Sequence, residues 1–235
     1  IFRYQIAKYN QYFNFIDDNI KSGGDYKVYE KERIVVRQIG KTPIIGYCGA
    51  NILTSNTIYN IFSTTDEFDL KYLFTLLNSK LLKKYWEYKY NDNKNLFPKI
   101  KGYQLDDLPL VNISLEKQQP FIEKADKMLS LNRELQDLSQ KFQRMLLRKF
   151  DLEKLSTKLQ EWYLLDFSDF IKELKRLKVK LSLSQESEWE EYFLEEKSKA
   201  IAVDSEIKNT DKEIDSMVYR LYDLTDEEIK IIEEE

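Results

Sequence analysis

The sequence predicts an α+β fold. A mixed sheet-and-helix domain is expected over residues 1–113, and an all-helical domain with a long antiparallel helix pair over 114–235. Three observations lead there. Short β-branched runs bounded by turn residues gather in the first half. Apolar residues at heptad spacing fill the second half. Only 6 Gly and 4 Pro in 235 residues leave few tight turns, which favours long helices. Hydrophobic residues at 42% suffice for a core, and 33% charged residues suits long exposed helices.

The elements follow in order. YQIAKYNQYFNFI (4–16) is aromatic-rich and fits a strand or a short helix, and KSGGDY (21–26) is a loop. RIVVRQIG (33–40) reads as a strand ended by Gly40, KTP (41–43) as a turn and PIIGYCGANIL (43–53) as a second strand, close enough for a hairpin. TSNTIYNIFST (54–64) is a third strand by its Thr, Ile, Tyr and Phe content. The period then changes. In DLKYLFTLLNSKLLKKYWEYKY (69–90), Leu70, Leu73, Phe74, Leu77, Leu81 and Tyr85 form one helical stripe. An Asn-rich loop and a short strand, FPKIK, follow. Gln119-Pro120 marks a boundary, beyond which the chain is almost entirely helical.

Two heptad seams run through that helical half. One passes through Met128, Leu131, Leu135, Leu138, Phe142 and Met145. The other passes through Phe193, Glu196, Ala200, Val203, Ile207, Thr210, Ile214, Met217 and Leu221, with polar breaks at Glu196 and Thr210. Shorter helices in LEKLSTKLQEWYLLDFSDFIKELKRL (152–177) would occupy the turn between them. The acidic ending, DLTDEEIKIIEEE, is expected to be solvated or frayed.

Composition excludes several functions. Without histidine there is no His-based zinc site, Ser-His-Asp triad or Cys-His dyad. The single cysteine, Cys48, excludes an intrachain disulfide and fits a reducing, cytoplasmic setting. No apolar run in the sequence is long enough for a membrane span, and no signal peptide is expected. The chain begins at Ile1 rather than Met, so it is expected to be a piece of a longer polypeptide. The charge is split. Residues 1–110 carry 16 basic and 12 acidic side chains, whereas 111–235 carry 21 and 29. A basic half beside an acidic half suggests an anionic partner for the former, with the acidic half facing away from it.

Catalytic motifs are missing. Adenine methylation needs an Asn/Asp-Pro-Pro-Tyr type loop, yet no two prolines are adjacent. Neither a Gly-x-Gly nucleotide turn after a strand nor a Gly-x-x-x-x-Gly-Lys phosphate loop occurs. Glu195, Glu196 and Lys197 have the residue types of a metal-dependent nuclease. Consecutive positions on a helix point apart, however, so a solvated face suits them better.

What remains is recognition. Arg33, Arg37, Gln38 and Lys41 lie on or beside a strand–turn–strand unit. Arginine pairs bidentately with guanine, and Gln or Asn with adenine, in the major groove. Strand alternation places Arg33, Val35 and Arg37 on one face and Ile34, Val36 and Gln38 on the other. Asn91, Asn93, Lys94 and Asn95 form a loop of amides and cations, and Lys99 and Lys101 share a strand face suited to phosphate. The same patterns fit a half-solvated strand with ordinary surface arginines and a solvated turn. Tyr85, Trp86, Tyr88 and Tyr90 could stack bases, or serve as core with an interface rim.

The ordered set TSNTIYNI, DLKYLFTLLNSKLLKKYW and FPKIKGYQLDDLPL resembles the target-recognition domain of restriction–modification DNA methyltransferases. The nearest likeness is the TaqI-like C-terminal specificity domain of type IIG enzymes, in which methyltransferase, endonuclease and specificity parts share one polypeptide. ADKMLSLNRELQ, LSTKLQEWYLLDFSDFIKELKR and TDKEIDSMVYRLYDLTDEEIKIIEE resemble the helical region of the same family. The resemblance implies sequence-specific recognition of double-stranded DNA next to a methyltransferase domain of the same chain. It makes Thr57, Ile58, Tyr59, Phe97, Pro98, Ile100, Leu108 and Pro109 scaffold and leaves the base-reading residues open. No cofactor is expected in this segment. The parent enzyme would use S-adenosylmethionine and could use magnesium. The rival readings are a type I specificity subunit and a helical protein-interaction module without a DNA role, the heptads also permitting a helix-mediated dimer.

Overall fold

The computed structural model describes residues 3–4, 26–63, 65–90 and 99–234. The fold is α+β, with one small antiparallel sheet and long helices. The strands are β1 (Arg33–Arg37), β2 (Ile45–Cys48) and β3 (Ile58–Ile61). The helices are α1 (Leu70–Leu77), α2 (Lys80–Tyr90), α3 (Gly102–Asp106), α4 (Leu115–Lys149), α5 (Thr157–Gln160), α6 (Phe167–Arg176), α7 (Leu183–Leu221) and α8 (Asp226–Glu233). Among the described residues no helix is long and apolar enough to cross a membrane. The chain forms two compact units, one of residues 1–129 with 210–235 and one of 130–209, a division different from that drawn along the sequence at residue 113. The 4–16 segment, apart from Tyr4, and most of the 21–26 loop lie outside the described residues.

In the first unit β1 is the central strand, in the order β2-β1-β3, both pairings antiparallel. Arg33 through Val36 are all buried, which corrects the expectation of a half-exposed strand. A strand covered on both faces reads as a continuous apolar run, and Ile34-Val35-Val36 is one. Helix α1 packs on the sheet, where Phe74 meets the Tyr47 ring edge-on at 5.4 Å.

The helix expected over 69–90 is two helices. Asn78 closes α1, its side-chain amide bonding Phe74 O at 3.0 Å, and Ser79 Oγ accepts from Leu82 N at 3.3 Å to open α2. From α7, Asp215 Oδ1 accepts the Lys80 N–H at 2.8 Å, capping α2 from outside. Residues 72–79 are buried almost all round rather than along one stripe, because α1 is covered on several sides. Pro120 does not end a helix but lies in the second turn of α4. Buried Gln118 anchors that helix, its amide bonding Glu67 O at 2.6 Å and Ile113 O at 2.9 Å while its oxygen accepts from Asp69 N at 2.8 Å. The acidic ending is also not frayed. A Thr225–Glu228 capping box starts α8, Ile232 is buried, and Glu233 takes Lys80 at 2.5 Å and the Tyr219 hydroxyl at 2.7 Å.

Asp215 supplies a test of this joint. Its Oδ2 is buried without a hydrogen-bond partner among the described residues, and burial raises the carboxyl from an ordinary 3.8 to about 6. The folded value is raised. The contribution to stability is therefore fully present below about pH 4 and is lost as pH rises through 6. Asp215→Asn keeps an acceptor for Lys80 N–H and removes the charge. Chemical denaturation from pH 4 to pH 8 should show the variant gaining on wild type by up to about 3 kcal/mol. A constant difference across that range would mean Asp215 does not titrate there.

In the second unit the end of α4, the helices α5 and α6 and the start of α7 enclose an aromatic core. Phe142 stacks on Trp162 at 3.8 Å, and Phe193 on Phe170 at 4.7 Å. Asp166 caps α6 by accepting from Asp169 N at 2.8 Å. The heptad phase is shifted at both ends from that expected. Leu146 is buried where Met145 was predicted, and in the first unit Val218 is buried where Met217 was predicted.

Candidate nucleic-acid interface

One end of the sheet gathers four exposed cations. The backbone of Gln38, just past β1, joins three chain segments. Its N–H donates to Thr57 O at 2.9 Å and its carbonyl accepts from Ile100 N at 2.8 Å. Ile39 then bridges Lys99 in antiparallel sense. Residues 99–101 thus continue the ladder beside β1 where β3 has not yet begun. Tyr59 Oη donates to Ile100 O at 3.2 Å and fixes this strip to β3.

The strip alternates as expected. Ile100 is buried, and Lys99 and Lys101 on either side are exposed. Among the described residues of FPKIK the strand shows as that bridge, and α3 starts at Gly102. Arg37 is exposed at the end of β1, with its N–H held by Ile44 O at 3.1 Å. Lys41 is exposed in the turn to β2, a turn tight enough that a Cβ on Gly40 would come within 3.2 Å of Thr42 O. Four exposed cations from two distant stretches of sequence therefore stand around the Gln38 junction, with exposed Thr57 beside them. The Gln38 side chain is half-buried.

Of two exposed aromatics nearby, sequence reasoning named Tyr88 and missed Tyr103. Tyr103 on α3 is 59% exposed, with Lys101 Nζ 5.8 Å from its ring centre. Tyr88 on α2 is 95% exposed, whereas Trp86 belongs to the core. Helices α2 and α3 are braced by Asp107, which takes Lys89 Nζ at 2.5 Å and the Tyr90 hydroxyl. The ammonium and the hydroxyl hold the Asp107 carboxyl below its usual range. An exposed tyrosine on a braced helix offers a rigid flat surface, which a base can stack on.

Arg33 is corrected. It is fully buried and spent inside the fold. Nε bonds Asn60 Oδ1 at 2.8 Å, one terminal nitrogen reaches Lys31 O at 3.3 Å and Gly49 O at 3.4 Å, and the other bonds Ile52 O. The guanidinium also lies 5.1 Å from the centre of the Tyr29 ring. Arg33 thus fastens the segment between β2 and β3, and its burial keeps the guanidinium from reaching a base. Asn91, Asn93, Lys94 and Asn95, with Phe97 and Pro98, lie outside the described residues. The Glu195-Glu196-Lys197 set is not convergent. Lys199 binds both glutamates at 2.7 Å, Glu196 is buried, and Lys197 Nζ donates to Leu165 O.

Residues 114–218 match a domain of unknown function, DUF8810. No curated protein matches the chain. Residues 1–110, which hold the sheet and the whole basic edge, match the TaqI-like C-terminal specificity domain, the family that their sequence resembles.

Proposed function

We propose that this chain reads the sequence of double-stranded DNA for a restriction–modification enzyme of type IIG. The observation that carries the reading is the convergence of Arg37, Lys41, Lys99 and Lys101 on one sheet end, within the stretch matching the specificity domain. Phosphate contacts set register and orientation, and base-edge contacts supply the sequence information. Lys41, Lys99 and Lys101 take the phosphate role. Arg37, with Gln38 and the 91–95 loop, takes the base-reading role, since Arg, Gln and Asn match purine edges in the major groove. Chemistry belongs to a methyltransferase part of the same polypeptide, with S-adenosylmethionine as donor and the target base turned out of the stack.

The heptad rival keeps less surface, because Phe142, Phe193, Ala200 and Ile214 are buried inside this chain, while Leu131, Leu135, Leu138, Val203 and Ile207 stay half-buried. The deciding experiment is selection from a pool of random duplexes, with bound DNA sequenced and affinity measured against salt. Steep weakening with salt and one enriched motif are expected. Two half-motifs at fixed spacing would instead favour a type I specificity subunit. Salt-insensitive binding or no enrichment overturns the recognition reading.

A further inference from the structure

The unit of residues 130–209 carries two opposite charge blocks close together. Lys175, Arg176, Lys178 and Lys180 end α6 and fill the connection to α7, while Glu186, Glu188, Glu190 and Glu191 occupy the first turns of α7. Between them stands Leu183, 88% exposed. The core fixes both blocks from beneath. Leu177, Val179 and Leu181 pack against it, which leaves Lys178 and Lys180 exposed. Trp189 and Tyr192 pack against it as well, which leaves Glu188, Glu190 and Glu191 exposed. Arg176 pairs with Glu173 of its own helix, and no ion pair among the described residues joins one block to the other. A connection of six residues keeps the blocks within about 20 Å of each other.

Lys178 adds a second observation. Its φ of 63° is left-handed. It stands just past α6, where its N–H bonds Lys175 O at 2.9 Å and the Val179 N–H bonds Leu174 O at 3.1 Å. Glycine is the residue that closes a helix in this way without strain. Lys178→Gly therefore removes a charge of the basic block without straining the turn.

A two-fold interface must be self-complementary, each patch meeting its counterpart in the partner. Adjacent blocks of opposite charge meet that requirement. We propose that this end of the helical unit is an interface between two copies of the chain. The basic block of one copy meets the acidic block of the other, with the two Leu183 side chains at the axis. Such contacts set register and make association sensitive to salt.

The test is sedimentation of the full chain across concentration and salt. Wild type should dimerise at low salt and dissociate as salt rises. Combined Lys175→Glu, Lys178→Glu and Lys180→Glu should weaken the dimer at least about tenfold, as should combined Glu188→Lys, Glu190→Lys and Glu191→Lys. Mixing the two variants should restore association as a heterodimer, because an acidic face then meets a basic one. Lys178→Gly guards against misfolding, since it should melt no lower than wild type yet dimerise more weakly. A wild type that stays monomeric at low salt overturns the proposal, even if duplex DNA or another protein binds the basic block. So does a mixture that associates no better than either variant alone.

Discussion

Arg33→Ala is expected to lower the stability of the first unit by about 3–5 kcal/mol, read from denaturant unfolding followed by tyrosine or tryptophan fluorescence. The size follows from what the side chain leaves behind. Asn60 Oδ1 and the carbonyls of Lys31, Gly49 and Ile52 lose their donor in a place where the arginine itself is fully buried. Each unsatisfied buried acceptor costs about 1–3 kcal/mol, although Asn60 Oδ1 retains the Thr54 hydroxyl at 3.1 Å. Removing the large side chain from between strand and loop adds a cavity. Arg33→Lys should recover only part of the loss, because an ammonium has no planar fork to span acceptors on several sides. The enriched DNA motif should be unchanged for whatever fraction of the variant remains folded. A variant of wild-type stability that relaxes one motif position would restore Arg33 as a base reader.

Arg33 also shows where the sequence stopped being legible. RIVVR alternates, and alternation alone puts Arg33 with Arg37 on one face. Whether that face meets water depends on what covers it, and here β3 and α1 come from beyond the adjacent hairpin. The three strands themselves were legible, because β-branched content and turn residues are local signals. The break between α1 and α2 was not. No Gly or Pro marks it, and its cap from Asp215 comes from a residue more than a hundred positions away. Local capping by Asn78 and Ser79 was the readable sign. The seam phase slipped toward Leu146 and Val218 because a strict seven-residue repeat drifts against 3.6 residues per turn. At the interface, the exposed-buried-exposed pattern of Lys99, Ile100 and Lys101 was readable. Their meeting with Arg37 and Lys41 was not, since a ladder contact between Gln38 and Ile100 leaves no trace in either segment alone.

That junction sets the largest functional effect. Combined Arg37→Ala, Lys41→Ala, Lys99→Ala and Lys101→Ala should leave the melting temperature close to wild type, since all four side chains are exposed. Duplex affinity, measured by fluorescence anisotropy at several salt concentrations, should fall by about a thousandfold near physiological salt. Each phosphate contact contributes about 0.9 to the slope of log affinity against log salt, so losing the three lysines removes about 2.7 from that slope, and the lost Arg37 base contact accounts for the rest of the fall. The single variants should then separate the roles. Lys41→Ala, Lys99→Ala and Lys101→Ala should weaken all sequences alike and each lower the slope by about 1. Arg37→Ala should also relax one position of the enriched motif, at a discrimination cost of about 1–3 kcal/mol. A slope unchanged by the fourfold variant would show that phosphate is gripped by another surface. The basic block at Lys175–Lys180 would then be the next cluster to neutralise, and the same variant that tests dimerisation would test it.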